Sequence, residues 1–201
     1  MSTAVIQKTY SAPAVNKTEI LRYAGVKEST TEIDALLEEC LQETKNAFCY
    51  RVCYALFPLA FQDGKVDLDF TTVQSKSLEK NLNGCHHFIV FCATVGIEID
   101  RLIAKYSVLS PTKALLFQAL GAERIESLCD AFYQEMAAAY HNTRPRFSPG
   151  YGDLPIQLQE KIIDQLQTYK HIGVGLTQSL LMSPSKSVTA IIGIWQGENK
   201  S

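Results

Sequence analysis

Arg146 stands three residues before the step Pro149-Gly150-Tyr151, and residue types in that order can hold a small charged ligand. A guanidinium does not deprotonate and presents a planar fork of donors, which suits a carboxylate held by two parallel hydrogen bonds. Proline presets its own φ, and glycine admits backbone conformations barred to other residues. Pro149-Gly150 therefore makes a stiff turn with Tyr151 at its tip. A tyrosine there offers a flat apolar face and a hydroxyl, as packing beside a macrocycle or a purine requires. Arg146 and Tyr151 are then expected to line one concave surface. The alternative is a surface loop whose arginine pairs with a local carboxylate and whose tyrosine plugs the core.

A second group of charges precedes that loop. Glu123, Glu126 and Asp130 follow one another at intervals of three and four inside an apolar-periodic stretch, so they line one side of a helix. They form either a solvated face or a set from which one carboxylate reaches the ammonium group of an amino-acid ligand. Cys85-His86-His87 with Cys92 offers soft thiolate and imidazole, a zinc-like set. The segment reads as a strand, whose side chains alternate faces, so His86 and His87 point opposite ways and no metal site is expected. Cys40, Cys49, Cys53, Cys85, Cys92 and Cys129 lie in apolar surroundings with no secretion signal ahead of them. Free buried thiols are expected in place of disulfides. Ser179, His171 and Asp153 are separated by strand and turn without triad spacing, and no catalytic side chain is expected.

The scaffold for these residues reads as mixed α and β. Residues 1–16 form an extended arm or a loose end, residues 16–25 a short helix stopped by Gly25, and Ser29 with Glu32 a capping box opening the next helix. Residues 47–61 are aromatic and β-prone, and Asp63-Gly64 signals a hairpin. A brief helix over 75–81 leads to the apolar run 88–94, which has the length and composition of a central strand covered on both faces. A helix over 96–106 follows, and Ser110-Pro111 opens a longer one in which Gly121 marks a kink or a close approach. Leu158, Ile162, Leu166 and Tyr169 give another helical stripe, and residues 176–182 and 187–194 read as closing strands.

A chain of 201 residues with 46% hydrophobic residues can bury a substantial core, and its net charge of −2 lacks the basic stripe that nucleic acid demands. No apolar run approaches a membrane span or a signal peptide, so a cytoplasmic protein is expected.

The succession Arg146, Pro149-Gly150-Tyr151, an amphipathic stretch, a glycine turn, Leu176-Thr-Gln-Ser179, Met182-Ser-Pro184 and Ser187-Val188 resembles the C-terminal activation domain of cobalamin-dependent methionine synthase. Phe88-Ile-Val-Phe-Cys-Ala-Thr-Val-Gly-Ile-Glu-Ile-Asp-Arg101 is similar to that family's apolar strand, turn and acidic helix start. The resemblance implies an α+β fold, with helices around a twisted, mostly antiparallel sheet. It divides the chain into an N-terminal arm with helices over 1–46 and an activation-like domain over 47–201. The N-terminal part looks more like small free-standing activation subunits than the end of a full-length synthase.

The resemblance also implies a chemistry. Arg146 and Ser148, with an acidic contact from Glu126 or Asp130, would bind S-adenosylmethionine, while Pro149, Gly150 and Tyr151 would face a corrinoid. Cobalamin would be carried by a partner, a corrinoid-binding methyltransferase or its cobalamin domain. An electron donor would reduce cob(II)alamin to cob(I)alamin, which attacks the methyl carbon of S-adenosylmethionine. The protein's part is placement of two large molecules. Two departures stand against full correspondence: the sequence ends soon after Trp195, and Ala12-Pro13 offers no acid where the family has one. They motivate a second expectation, a non-catalytic module that docks on a corrinoid protein and has lost the methyl donor site. A structural protein whose loop serves only packing is a third.

Overall fold

Apolar side chains on both sides of one strand need a cover on each side, and the fold is arranged around that requirement. The computed structural model describes residues 4–195. In chain order the elements are β1 (Ile6–Thr9), α1 (Lys17–Tyr23), α2 (Thr31–Glu43), β2 (Arg51–Pro58), β3 (Ala60–Gln62), β4 (Lys65–Asp67), β5 (Thr72–Val73) and α3 (Lys76–Leu82). They continue with β6 (His87–Thr94), α4 (Glu98–Leu109), α5 (Pro111–Tyr140), α6 (Leu158–Leu166), α7 (Thr168–Ile172), β7 (Gly175–Leu176), β8 (Met182–Ser183) and β9 (Ser187–Ile194). The main sheet has the order β1-β2-β6-β9 with every pairing antiparallel.

Side chains of the sheet alternate between two cores, as strand geometry requires. Ile89, Phe91 and Ala93 of β6 join Val52, Tyr54, Ala190 and Ile192 against α1, α2, α4 and α5. Phe88, Val90 and Cys92 face the other way with Cys53, Ala55, Phe57 and Ile191, under α3, α6, α7 and the small β3-β4-β5 sheet. The α+β architecture expected above is the one observed.

Local chemistry explains most element ends. Ser110 accepts a hydrogen bond from Lys113 N ahead of Pro111, and Ser75 does the same for Leu78 N, so both helices begin at side-chain caps. Asp63 and Gly64 both adopt positive φ, the requirement of a two-residue hairpin between β3 and β4. Helix α5 runs unbroken for 30 residues, so Gly121 serves close approach in place of a kink. A Cβ there would stand 3.0 Å from both Ile99 and the Lys186 stem.

Four expectations are corrected. Thr30, not Ser29, caps α2 by accepting from Ile33 N, while the Ser29 hydroxyl binds Asp34. Residues 6–9 of the expected arm are the edge strand of the main sheet. The stripe ending at Tyr169 breaks because Gln167 is left-handed, which resets the helical phase and leaves Tyr169 exposed. The expected strand over 176–182 is instead a pair of two-residue strands, β7 and β8, around a turn. There the Thr177 hydroxyl accepts from Leu181 N and Thr177 O from Leu180 N, local bonds that outcompete a ladder.

The N-terminal segment is fastened to α5 by a buried ion pair. Arg124, 2% exposed, donates to Glu123 and to the carbonyls of Pro13 and Ala14 at 2.7 and 2.8 Å. Glu123 in turn accepts from Asn16 N at 3.1 Å and from Ser127. Glu123 therefore belongs to this clamp and not to a solvated face. Replacing Arg124 by alanine leaves a buried carboxylate without its partner, and unfolding in urea is expected to show a loss of about 3–5 kcal/mol. A loss under about 1 kcal/mol would mean that the clamp does not hold the segment.

Candidate functional site

The edge of β9 carries the loop that holds the candidate residues. Residues 143–147 run antiparallel beside it, bridged at Thr143 with Ile194 and at Phe147 with Ile191. The three residues between those bridges, 144–146, thus oppose only two of β9, 192 and 193, so one residue is extra and the alternation of faces is reset, as in a β-bulge. Arg144 and Arg146 would share a face in a regular strand, yet they diverge. Arg144 donates to Asn83 O at 2.7 Å beside α3 and lies over the Trp195 ring, while Arg146 turns to α5. Arg144 does not compete for the site.

Arg146 Nη2 donates to Glu126 Oε2 at 2.6 Å and lies 3.1 Å from Asp130 Oδ1. Both acids engage the same nitrogen, Nη2. Burial works against the charge of Arg146, but Cys129, Glu126 and Asp130 together outweigh it and hold the guanidinium above its ordinary value. Burial itself pushes the Cys129 thiol behind it up to about 12. The Arg146 side chain keeps 26% exposure and its two acids more, so these pairs contribute at most about 1 kcal/mol and rearrange cheaply.

A cavity of about 400 Å³ opens at this point, lined by Glu126, Arg146, Phe147, Ser148, Tyr151 and Val188. Its volume lies within the range of small-molecule sites, about 300–1,000 Å³. Tyr151 is 69% exposed and packs edge-on against Phe147 with ring centroids 5.4 Å apart, so it rims the cavity and plugs no core. Pro149 is buried behind the loop, whereas Gly150 is exposed with φ +86°.

The loop is tied at several points. Gly150 N donates to Leu154 O, Tyr151 N to Ser148 O and Leu154 N to Tyr151 O. The Asp153 carboxylate accepts from Ser75 Oγ at 2.5 Å, Lys76 N at 2.8 Å and Ser77 N at 3.1 Å. Gly152 has φ +58°, and a Cβ there would meet Ser77 Oγ at 2.9 Å, so the loop lies directly on the start of α3.

Residues 76–197 match the family described as vitamin B12 dependent methionine synthase, activation domain. The chain belongs to that family. Among solved structures it is similar to the crystal structure of the MetH reactivation domain bound to AdoHcy, with a TM-score of 0.66 and 16% identity, over 98% of this chain and 80% of that one. No curated protein matches.

The family's matched span contains the whole loop, α5 and β9. Glu126, Arg146, Ser148 and Tyr151 come together around one cavity, and Asp130 reaches it through Arg146. Pro149 and Gly150 do not line it. The remaining candidates disperse: Cys85 and Cys92 are buried while His86 and His87 are exposed, and no metal-holding cluster is found among the described residues. Asp153 holds the loop and belongs to no triad. Its role could have been suspected from its place two residues after Tyr151, but its partners lie 76 to 78 positions earlier and no local pattern links them.

Hydrogen bonds from Ser75 and from the Ser77 and Lys76 amides hold the Asp153 carboxyl well below the usual range. A depressed folded value means that the stabilisation is complete above the unfolded value, about 3.9, and is lost as pH falls through the folded one. The stability difference between wild type and Asp153→Asn is therefore expected to be constant from about pH 7 to 5 and to shrink below about pH 4. Urea titrations across that range read it; a difference that does not shrink in acid would mean the carboxylate charge is not what holds the loop.

Proposed function

We propose that this chain is a free-standing, cytoplasmic activation subunit for a cobalamin-dependent methyltransferase of the methionine synthase type. In this reading it binds S-adenosylmethionine in the cavity beside Arg146 and presents the methyl group to a corrinoid carried by a partner. The observation that carries it is the cavity itself, where an arginine, two carboxylates, a serine and an exposed tyrosine converge in a member of the activation-domain family. The donor set suits the ligand. S-adenosylmethionine carries a carboxylate, an ammonium and a sulfonium, and the site offers a guanidinium and two acids. The partly exposed guanidinium of Arg146 takes the carboxylate, and Glu126 or Asp130 takes the ammonium.

When bound, the methyl donor supplies an electrophilic carbon to the partner's reduced corrinoid, the electron coming from a separate donor. Arg146 and its acids orient the amino-acid end, Ser148 lies beside it on the wall, and Tyr151 stands at the mouth where the corrinoid arrives. No side chain accepts a proton or forms a bond. In the division at residue 46, the part from residue 47 onward carries this site, and the part before it supplies the edge strand β1 and the helices α1 and α2 to the same sheet and core.

A second reading, a docking module without the methyl donor, is favoured by one observation: the Arg146 guanidinium already has carboxylate partners of its own. Equilibrium binding separates the two. Arg146→Ala is expected to weaken S-adenosylmethionine binding by about 2–3 kcal/mol, roughly thirty- to a hundredfold, with folding nearly unchanged. Tyr151→Leu should spare that binding and impair methyl transfer to the corrinoid. If wild type shows no binding with a corrinoid partner present, the docking reading replaces the first.

A further inference from the structure

A mobile loop would fold an exposed aromatic ring onto the nearest apolar surface, yet Tyr151 stays mostly exposed at the tip of a loop bonded on both sides. We propose that Asp153 is a positioning residue: by fastening the 148–154 loop to the start of α3, it sets where Tyr151 points and hence how a methyl acceptor approaches. This rests on the activation reading above for its functional half, while the fastening stands on geometry alone.

The loop is anchored in the core under α3, α6 and α7 by Phe147 on one side and Leu154 on the other, both buried. Between those anchors Asp153 supplies the polar tie, three hydrogen bonds to residues more than seventy positions earlier. Helix α3 does not depend on it for a cap, because Ser75 Oγ already accepts from Leu78 N at 3.1 Å. Asp153 instead uses the free amides of Lys76 and Ser77, which belong to the first turn and have no partner inside the helix. Gly152 allows the loop to come this close, since any side chain there would strike Ser77. Chain entropy that a partner would otherwise have to remove from the loop is thereby removed on folding, and the ring is preorganised for contact.

Asp153→Asn puts an amide donor among groups that themselves donate. Asp153→Glu keeps the charge beside α3 but lengthens the tie by one methylene. Amide hydrogen exchange at Gly150, Tyr151 and Leu154, read by NMR, is expected to quicken at least about tenfold in Asp153→Asn while core amides of β6 keep their protection. On the same preparations, S-adenosylmethionine affinity should stay within about twofold, while methyl transfer to free cobalamin reduced by titanium(III) citrate falls about tenfold. Asp153→Glu should recover melting temperature without recovering transfer, whereas a residue that merely stabilised α3 would recover both. Unchanged loop exchange in Asp153→Asn, or full transfer in Asp153→Glu, overturns the proposal. Should wild type fail to bind S-adenosylmethionine, the activation reading falls, and the exchange comparison still decides whether Asp153 holds the loop.

Discussion

Strand β6 must be covered on both faces, and the rest of the architecture follows from that burial. Each of its residues from Phe88 to Thr94 is buried, with alternate side chains committed to opposite cores. Antiparallel partners on both edges satisfy its backbone, and helices on both sides satisfy its side chains. Long helix α5 then lies across one face, and the loop from residue 143 returns along the outer edge of β9. The candidate site forms where those two meet, at the seam between the layers.

That seam is where charge can be held without being deeply buried. Arg146 leaves the edge of the sheet on the α5 side, within reach of Glu126 and Asp130 one helical turn apart. Phe147, the next residue, turns into the core on the other face of the sheet and fixes the backbone. The contrast with Arg124 is instructive. Arg124 and Glu123 are sealed from water and saturated with hydrogen bonds, so their exchange for a ligand would be costly. The Arg146 pairs are partly solvated and cheap to rearrange, which suits a site that must accept an outside carboxylate.

Two fixed supports frame the cavity. On one side α5 presents its acids from a continuous helix whose Gly121 notch receives the Lys186 stem, so the start of β9 and its Val188 are held against the helix. On the other side the Tyr151 loop rests on α3 through Asp153. Both supports are rigid elements, and the side chains between them need little ordering when a ligand arrives.

The sequence by itself determined several of the elements and the family. The uniform apolar run of β6, the Ser110-Pro111 start of α5, the Asp63-Gly64 hairpin and the Pro149-Gly150 turn are local signals, and local hydrogen bonding and sterics are enough to set them. The order of motifs from Arg146 to Val188 carried the α+β fold and the candidate residues. What only the tertiary structure decided were relations between distant segments. The extra residue opposite β9 sent Arg144 and Arg146 to different faces, and a register depends on the partner strand as much as on its own sequence. Long-range pairing likewise turned Glu123 into a buried clamp and Asp153 into a tie for the loop. Those roles arise from partners tens of residues away, because a carboxylate's function depends on which donors the fold brings to it, and no spacing along the chain records that.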